Sequence, residues 1–218
     1  DFYFPLYRQF FADLGFRVVI PESPLQAGVD RKQAPFCYPA EIAHGFFLDL
    51  LERNTDYLFI PHVKGLYVGE DCGKSQTCPI CQAEPYYMPV AFKDHETFRK
   101  LKESKRVFSP VVDFSGGLDS AEGAFIETAK SLGLGRDRAR RAFLHALDVQ
   151  KKVIEEKKET GSRLLEELQD DRGKYGVVIF GRAYNAFASE ANMGIPHKFA
   201  SRGIPVVPVD FLPAEEEK

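Results

Sequence analysis

No stretch of this chain is apolar for anything near the ~20 residues that a bilayer span needs, and its N-terminus lacks the basic-then-apolar pattern of a secretory leader. The expected compartment is therefore the cytoplasm, with no membrane partner. A basic block is missing as well. Lys and Arg are interspersed with Asp and Glu, and the formal net charge is −3, which leaves no electrostatic footprint for nucleic acid. Internal repeats are absent, and the one biased segment is the Glu-Glu-Glu-Lys tail. There is no Met at position 1, and Asp1-Phe2-Tyr3-Phe4-Pro5 reads as the opening of a helix, so a fragment of a longer polypeptide is expected.

Cysteine is scarce, and its placement is informative. The four in 218 residues, Cys37, Cys72, Cys78 and Cys81, all fall between positions 37 and 81. In a reducing compartment, clustered cysteines point to metal ligands or redox groups rather than structural disulfides. The spacing C-x5-C-x2-C offers three sulfurs from one loop, and Cys37 can supply a fourth. An iron–sulfur cluster is the leading expectation, and zinc is the alternative that the same ligands allow, with His44 and His62 as further candidates for its shell. A redox dithiol fits less well, because thioredoxin-like motifs open a helix directly after a strand, whereas Cys78 lies about eighteen residues beyond Ile60.

Hydrophobic content of 44% suits one large or two small packed domains. Residues 6 to 14 carry apolar side chains at helical spacing up to Gly15, and Phe16 to Ile20 then reads as a strand. The same grammar returns with a helix over Tyr38 to Leu51, opened by Pro39, and a buried strand over Tyr57 to Ile60, closed by Pro61. Residues 107 to 114 read as a strand interrupted at Pro110. Arg136 to Asp171 is a charged helical stretch with Gly161 as its expected break. Gly176 to Phe180 and Ile204 to Val209 are strands flanking a helix over Pro196 to Ser201.

The expected architecture is α/β: a Rossmann-like parallel-sheet lobe over 1–115 carrying the cysteines, a helical connector over 116–172, and the start of a second α/β lobe over 173–218. Cys37 and Cys78 precede helices opened by Pro39 and Pro79, where free backbone N–H groups and the positive dipole end favour a thiolate. The other reading of Cys37 is a small buried hydrophobe.

Two further segments carry chemistry. Gly181-Arg182-Ala183-Tyr184-Asn185 follows a strand, and Arg182 is suited to bidentate capture of phosphate or carboxylate, or else to loop carbonyls. Ser115-Gly116-Gly117-Leu118-Asp119-Ser120 matches the SGGxDS loop that cradles pyrophosphate in ATP pyrophosphatases, so nucleotide binding there is a distant alternative. Those enzymes place the loop after the first strand of the domain, whereas here it follows a proline-broken one. The other reading is a turn in which Asp119 or Ser120 caps a helix.

Five segments taken in order, Cys37-Tyr-Pro-Ala-Glu-Ile-Ala-His-Gly, Asp56-Tyr-Leu-Phe-Ile-Pro, Thr77-Cys-Pro-Ile-Cys-Gln-Ala-Glu-Pro-Tyr, Gly181-Arg-Ala-Tyr-Asn and Asn192-Met-Gly-Ile-Pro, resemble a domain of the large acyl-CoA dehydratase activase proteins. These are fused relatives of the 2-hydroxyglutaryl-CoA dehydratase activator and dehydratase components, and the resemblance spans nearly the whole chain. It implies an oxygen-sensitive anaerobic system in which an ATPase module drives a low-potential electron through an iron–sulfur cluster, so that a 2-hydroxyacyl-CoA loses water. It further implies a 4Fe–4S cluster held by Cys37 and Cys78, with Cys72 or Cys81 as the third ligand. The implied partners are the ATPase activase module, the dehydratase module and an acyl-CoA, with Arg182, Tyr184 and Asn185 as substrate or phosphate contacts. No phosphate-binding pattern of the ATPase module is present, so ATP hydrolysis is not assigned to this chain, and no catalytic residue is assigned. The competing function is a non-catalytic scaffold whose cysteines are structural or hold zinc.

Overall fold

In the computed structural model, which describes residues 2–35, 37–68, 75–170 and 173–213, the chain is mostly helical, with small two-stranded parallel sheets. It divides into two compact units, Arg8–Leu147 and residues 1–7 with 148–218, so the boundaries fall inside two helices. Among the described residues no helix is long and apolar enough to cross a membrane.

The Arg8–Leu147 unit takes most of α1 (Phe4–Asp13), which stops at Gly15. Phe16 to Ile20, expected as a strand, joins no ladder. Phe16 instead packs edge-on against Phe11 and Tyr57, with centroids 6.3 and 5.8 Å away, and Pro21 follows without an N–H to continue a strand. Next come α2 (Gln26–Val29) and α3 (Tyr38–Glu52), the latter close to its expected span.

The strands β1 (Leu58–Phe59) and β2 (His62–Gly65) are separated by Pro61. After α4 (Pro79–Ala91) and α5 (Glu96–Glu103) come β3 (Val107–Phe108) and β4 (Val111–Asp113), separated by Pro110. β1 pairs with β3 and β2 with β4, both parallel. Bonds from the amides of Ile60 to Phe108 O (2.8 Å) and of His62 to Pro110 O (2.9 Å) bridge the gap. The four short strands are thus one parallel pair interrupted where each chain carries a proline, which has no donor to offer.

One side of this pair covers a core of Phe47, Leu48, Leu51, Met88, Phe92, Phe98 and Leu101 with Leu58 and Ile60. A second aromatic cluster joins Phe10, Phe59, Phe125 and Phe143, contributed by α1, β1, α6 (Glu122–Ser131) and α7 (Arg136–Asp170). Neither Asp119 nor Ser120 caps α6. A short 3₁₀ turn over Leu118–Ala121 intervenes, and the Ser120 Oγ lies 2.6 Å from both the Asp113 and the Gly117 carbonyl oxygens, with one proton to donate between them.

In the other unit Gln150 is fully buried, yet its side chain is satisfied: Oε1 accepts the Leu6 amide at 3.3 Å and Nε2 donates to Phe2 O at 3.2 Å. β5 (Val177–Ile179) leads through α8 (Ala183–Phe187), α9 (Ser189–Asn192) and α10 (Ile195–Ala200) to β6 (Val206–Pro208), again in parallel pairing. The Lys157 ammonium lies over the rings of Phe2, Phe187 and Phe211, 5.2, 5.3 and 6.0 Å from their centroids.

Gly161 does not break α7, which runs through it. The glycine is needed for close approach, because a Cβ there would fall 1.8 Å from Phe211 O. Replacing Gly by Ala in mid-helix ordinarily stabilises by roughly 0.5–1 kcal/mol. Here Gly161→Ala is expected to destabilise by about 1–3 kcal/mol, since backbone must shift to admit the methyl. A thermal melt checks the sign, and an unchanged or raised Tm would overturn this reading.

Candidate functional site

Cys37 is the N-cap of α3, with extended backbone (φ −150°, ψ 150°) and Pro39 in the first turn. Its carbonyl accepts from the amides of Ala40 (3.0 Å) and Glu41 (3.1 Å), while its side chain, exposed, makes no capping bond. Cys78 is the N-cap of α4, directly before Pro79, and is half-buried, and Cys81 is exposed in the first turn. Two helix starts therefore each present a cysteine. Pro85 stands four residues beyond Cys81 and Pro89 four beyond Pro85, so the carbonyls of Cys81 and Pro85 lack their usual intrahelical donor.

The Cys78 turn is fastened to β2. The Thr77 amide donates to Lys64 O at 3.0 Å, the Thr77 hydroxyl donates to Val63 O, and Gln82 Nε2 donates to Thr77 O at 2.9 Å. His62, on β2, has both ring nitrogens engaged: Nδ1 with the Tyr86 hydroxyl at 3.0 Å and Nε2 with Gln82 Oε1 at 3.3 Å. His44 is buried in α3, its Nδ1 2.8 Å from Ala40 O, and its ring stacks on Tyr87 of α4 with centroids 5.3 Å apart at 18°. This stack ties together the two helices that carry the cysteines.

Tyr87 reports on the electrostatics of the place. Its hydroxyl is pushed well above the ordinary tyrosine range, first by burial and then by the negative charges of Glu84, Cys81, Cys37 and Cys78. Burial also pushes the Glu84 carboxyl upward. The sequence motifs did not single out Glu84 or Tyr87, but Cys81, Glu84 and Tyr87 recur every third residue, the spacing of one helical face. Among the described residues no three His, Cys, Asp or Glu side chains form a ready metal shell. Cys72, the fourth candidate ligand, lies outside the described residues.

Arg182, Tyr184 and Asn185 belong to the other unit. Gly181, at φ +147°, turns the chain after β5, and Arg182 is the exposed N-cap of α8. A Cβ on Gly181 would fall 2.4 Å from Asn185 Nδ2, so glycine is required both by conformation and by contact. Within the same unit, Ile179, Ala186, Pro196, His197 and Val206 are among the residues lining a cleft of about 330 Å³.

The Ser115–Ser120 loop is bound up in its own turn. Asp113 Oδ1 accepts the Ser115 amide at 3.0 Å, and Lys64 Nζ lies 3.2 Å from Asp113 Oδ2. Hydrogen bonds from Ser115, and then Lys64, hold the Asp113 carboxyl below the usual carboxylate range.

The family model described as CoA enzyme activase uncharacterised domain (DUF2229) matches residues 2–212. Comparison with curated proteins and with solved structures finds no match.

Proposed function

The chain belongs to the CoA enzyme activase domain family (DUF2229), and from that premise we propose that it is the iron–sulfur-binding domain of a 2-hydroxyacyl-CoA dehydratase-type activase system. The observation that supports this reading is the His44–Tyr87 stack, with centroids 5.3 Å apart, which packs α3 against α4, the two helices that start at Cys37 and Cys78. Thiolates are the ligands such a cluster takes: Cys37 and Cys78 would hold it, with Cys72 or Cys81 as third ligand. A 4Fe–4S centre so held would supply low-potential one-electron chemistry, driven by ATP hydrolysis in a separate module.

The chain's own residues do the rest. Cys37 and Cys78 stand at the starts of α3 and α4, where the positive end of the helix dipole would favour an anionic cluster. Thr77, Gln82 and His62 fix the Cys78 turn on β2, and the His44–Tyr87 stack sets α3 against α4. The parallel pairing across the α4–α5 crossover supports reading this unit as a Rossmann-like lobe, and the β5–β6 pair supports a second α/β lobe. In that second lobe Arg182, Tyr184 and Asn185 would contact an acyl-CoA or its phosphates. The partners in this reading are the ATPase activase and dehydratase modules, on the same or a neighbouring chain.

Anaerobic purification of the whole chain, with iron and sulfide assay and a visible spectrum, tests the proposal. About four irons and four sulfides per chain are expected, with broad thiolate-to-iron absorption in the blue. Zinc without iron would overturn it in favour of a structural, non-catalytic domain.

A further inference from the structure

Four arginines crowd the first six residues of α7: Arg136, Arg138, Arg140 and Arg141. Like charges three and four residues apart repel, and the start of a helix disfavours cations, so helix stability does not account for the arrangement. Arg140 is paired, its Nε 3.0 Å from Glu122 Oε1. Arg138 gives one N–H to Leu14 O at 2.9 Å, which leaves four of its five donors. Among the described residues neither Arg138 nor Arg141 has a carboxylate within ion-pair distance.

Both arginines line one open cleft of about 460 Å³, together with His145, Ala142 and Asp13, all within the Arg8–Leu147 unit. Arg138, Arg141 and His145 follow at steps of three and four, one face of the helix. The Asp13 carboxylate in this cleft is already engaged: Oδ2 lies 2.7 Å from His145 Nδ1, and Oδ1 accepts Gln9 Nε2 at 2.7 Å. It therefore orients the imidazole and leaves Nε2 as the ring's remaining polar atom.

We propose that this cleft binds a phosphoryl group, gripped by the Arg138 and Arg141 guanidinium forks, with His145 Nε2 as a third donor when the imidazole is doubly protonated. Phosphate matches the planar fork of arginine, and charge-assisted bonds of this kind are the strong ones. The site is independent of the cysteines and does not rest on the iron–sulfur reading.

Titration calorimetry on the whole chain at low ionic strength, with inorganic phosphate, ADP, coenzyme A and dephospho-coenzyme A as probes, tests it. Saturable binding of at least one probe is expected, weakened about tenfold or more by Arg141→Ala and also weakened by His145→Ala, with Lys102→Ala, an exposed cation on α5, leaving it unchanged. Arg141 is exposed and bears no structural bond, so its variant folds, and a circular-dichroism melt verifies this. Equal affinity for phosphate and ADP would identify the group itself as the ligand. Preference for coenzyme A over its dephospho form would identify the 3′-phosphate. Absence of saturable binding by all four probes, or affinity unchanged in Arg141→Ala, would overturn the proposal.

Discussion

Cys78→Ser and Cys37→Ser, each prepared without oxygen, are expected to carry iron and sulfide at background level and to lose the blue absorption entirely. A serine hydroxyl is a poor substitute for a thiolate, and removing one of three sulfurs leaves a cluster unable to stay bound. The loss should not come from unfolding. Cys37 is exposed and makes no capping bond, so its apo fold should stay within about 0.5 kcal/mol of the parent. Parallel variants at Cys72 and Cys81 assign the third ligand, since only one of them should behave as Cys37 does. Full iron retention in Cys37→Ser would remove the α3 sulfur from the site and the proposal with it.

Phe125→Ala is expected to cost about 3–5 kcal/mol, a large fraction of the stability of an ordinary domain. Phe125 is 1% exposed, meets Phe10 edge-on at 4.8 Å and Phe143 at 5.1 Å, and faces Phe59 at 6.4 Å. These neighbours come from α1, α7 and β1, so no single element can move in to fill the void. Urea unfolding gives the number directly, and Phe125→Leu should recover most of it. A loss under about 1 kcal/mol would mean that the four rings do not form a close-packed core.

How much of this was legible from residue order varies by element. The helix of Tyr38 and, within the stretch expected over Tyr57 to Ile60, the shorter strand Leu58–Phe59 could be read because Pro39 and Pro61 punctuate these segments and local spacing agrees with the fold. The strand expected over Phe16–Ile20 was not found, because its β-branched run says nothing about whether a partner lies alongside, and Phe16 finds rings instead. Gly161 misled for a related reason. Its meaning depends on Phe211, fifty residues away, and no local pattern carries that. At the candidate site the cysteines and their helix starts were visible in the motifs. Tyr87 became visible only when α3 and α4 were brought together through His44.

Three prolines in the thirteen residues of α4 have a consequence for the two sulfurs it carries. A peptide so interrupted has too few internal amide bonds to wind up in water by itself. Its helical shape is lent by neighbours such as Phe47 and Phe98, which pack around Met88 and Phe92. The separation between Cys78 and Cys81 is accordingly a property of tertiary assembly, and any centre gripped there reads out, through its own affinity, whether the surrounding unit is intact.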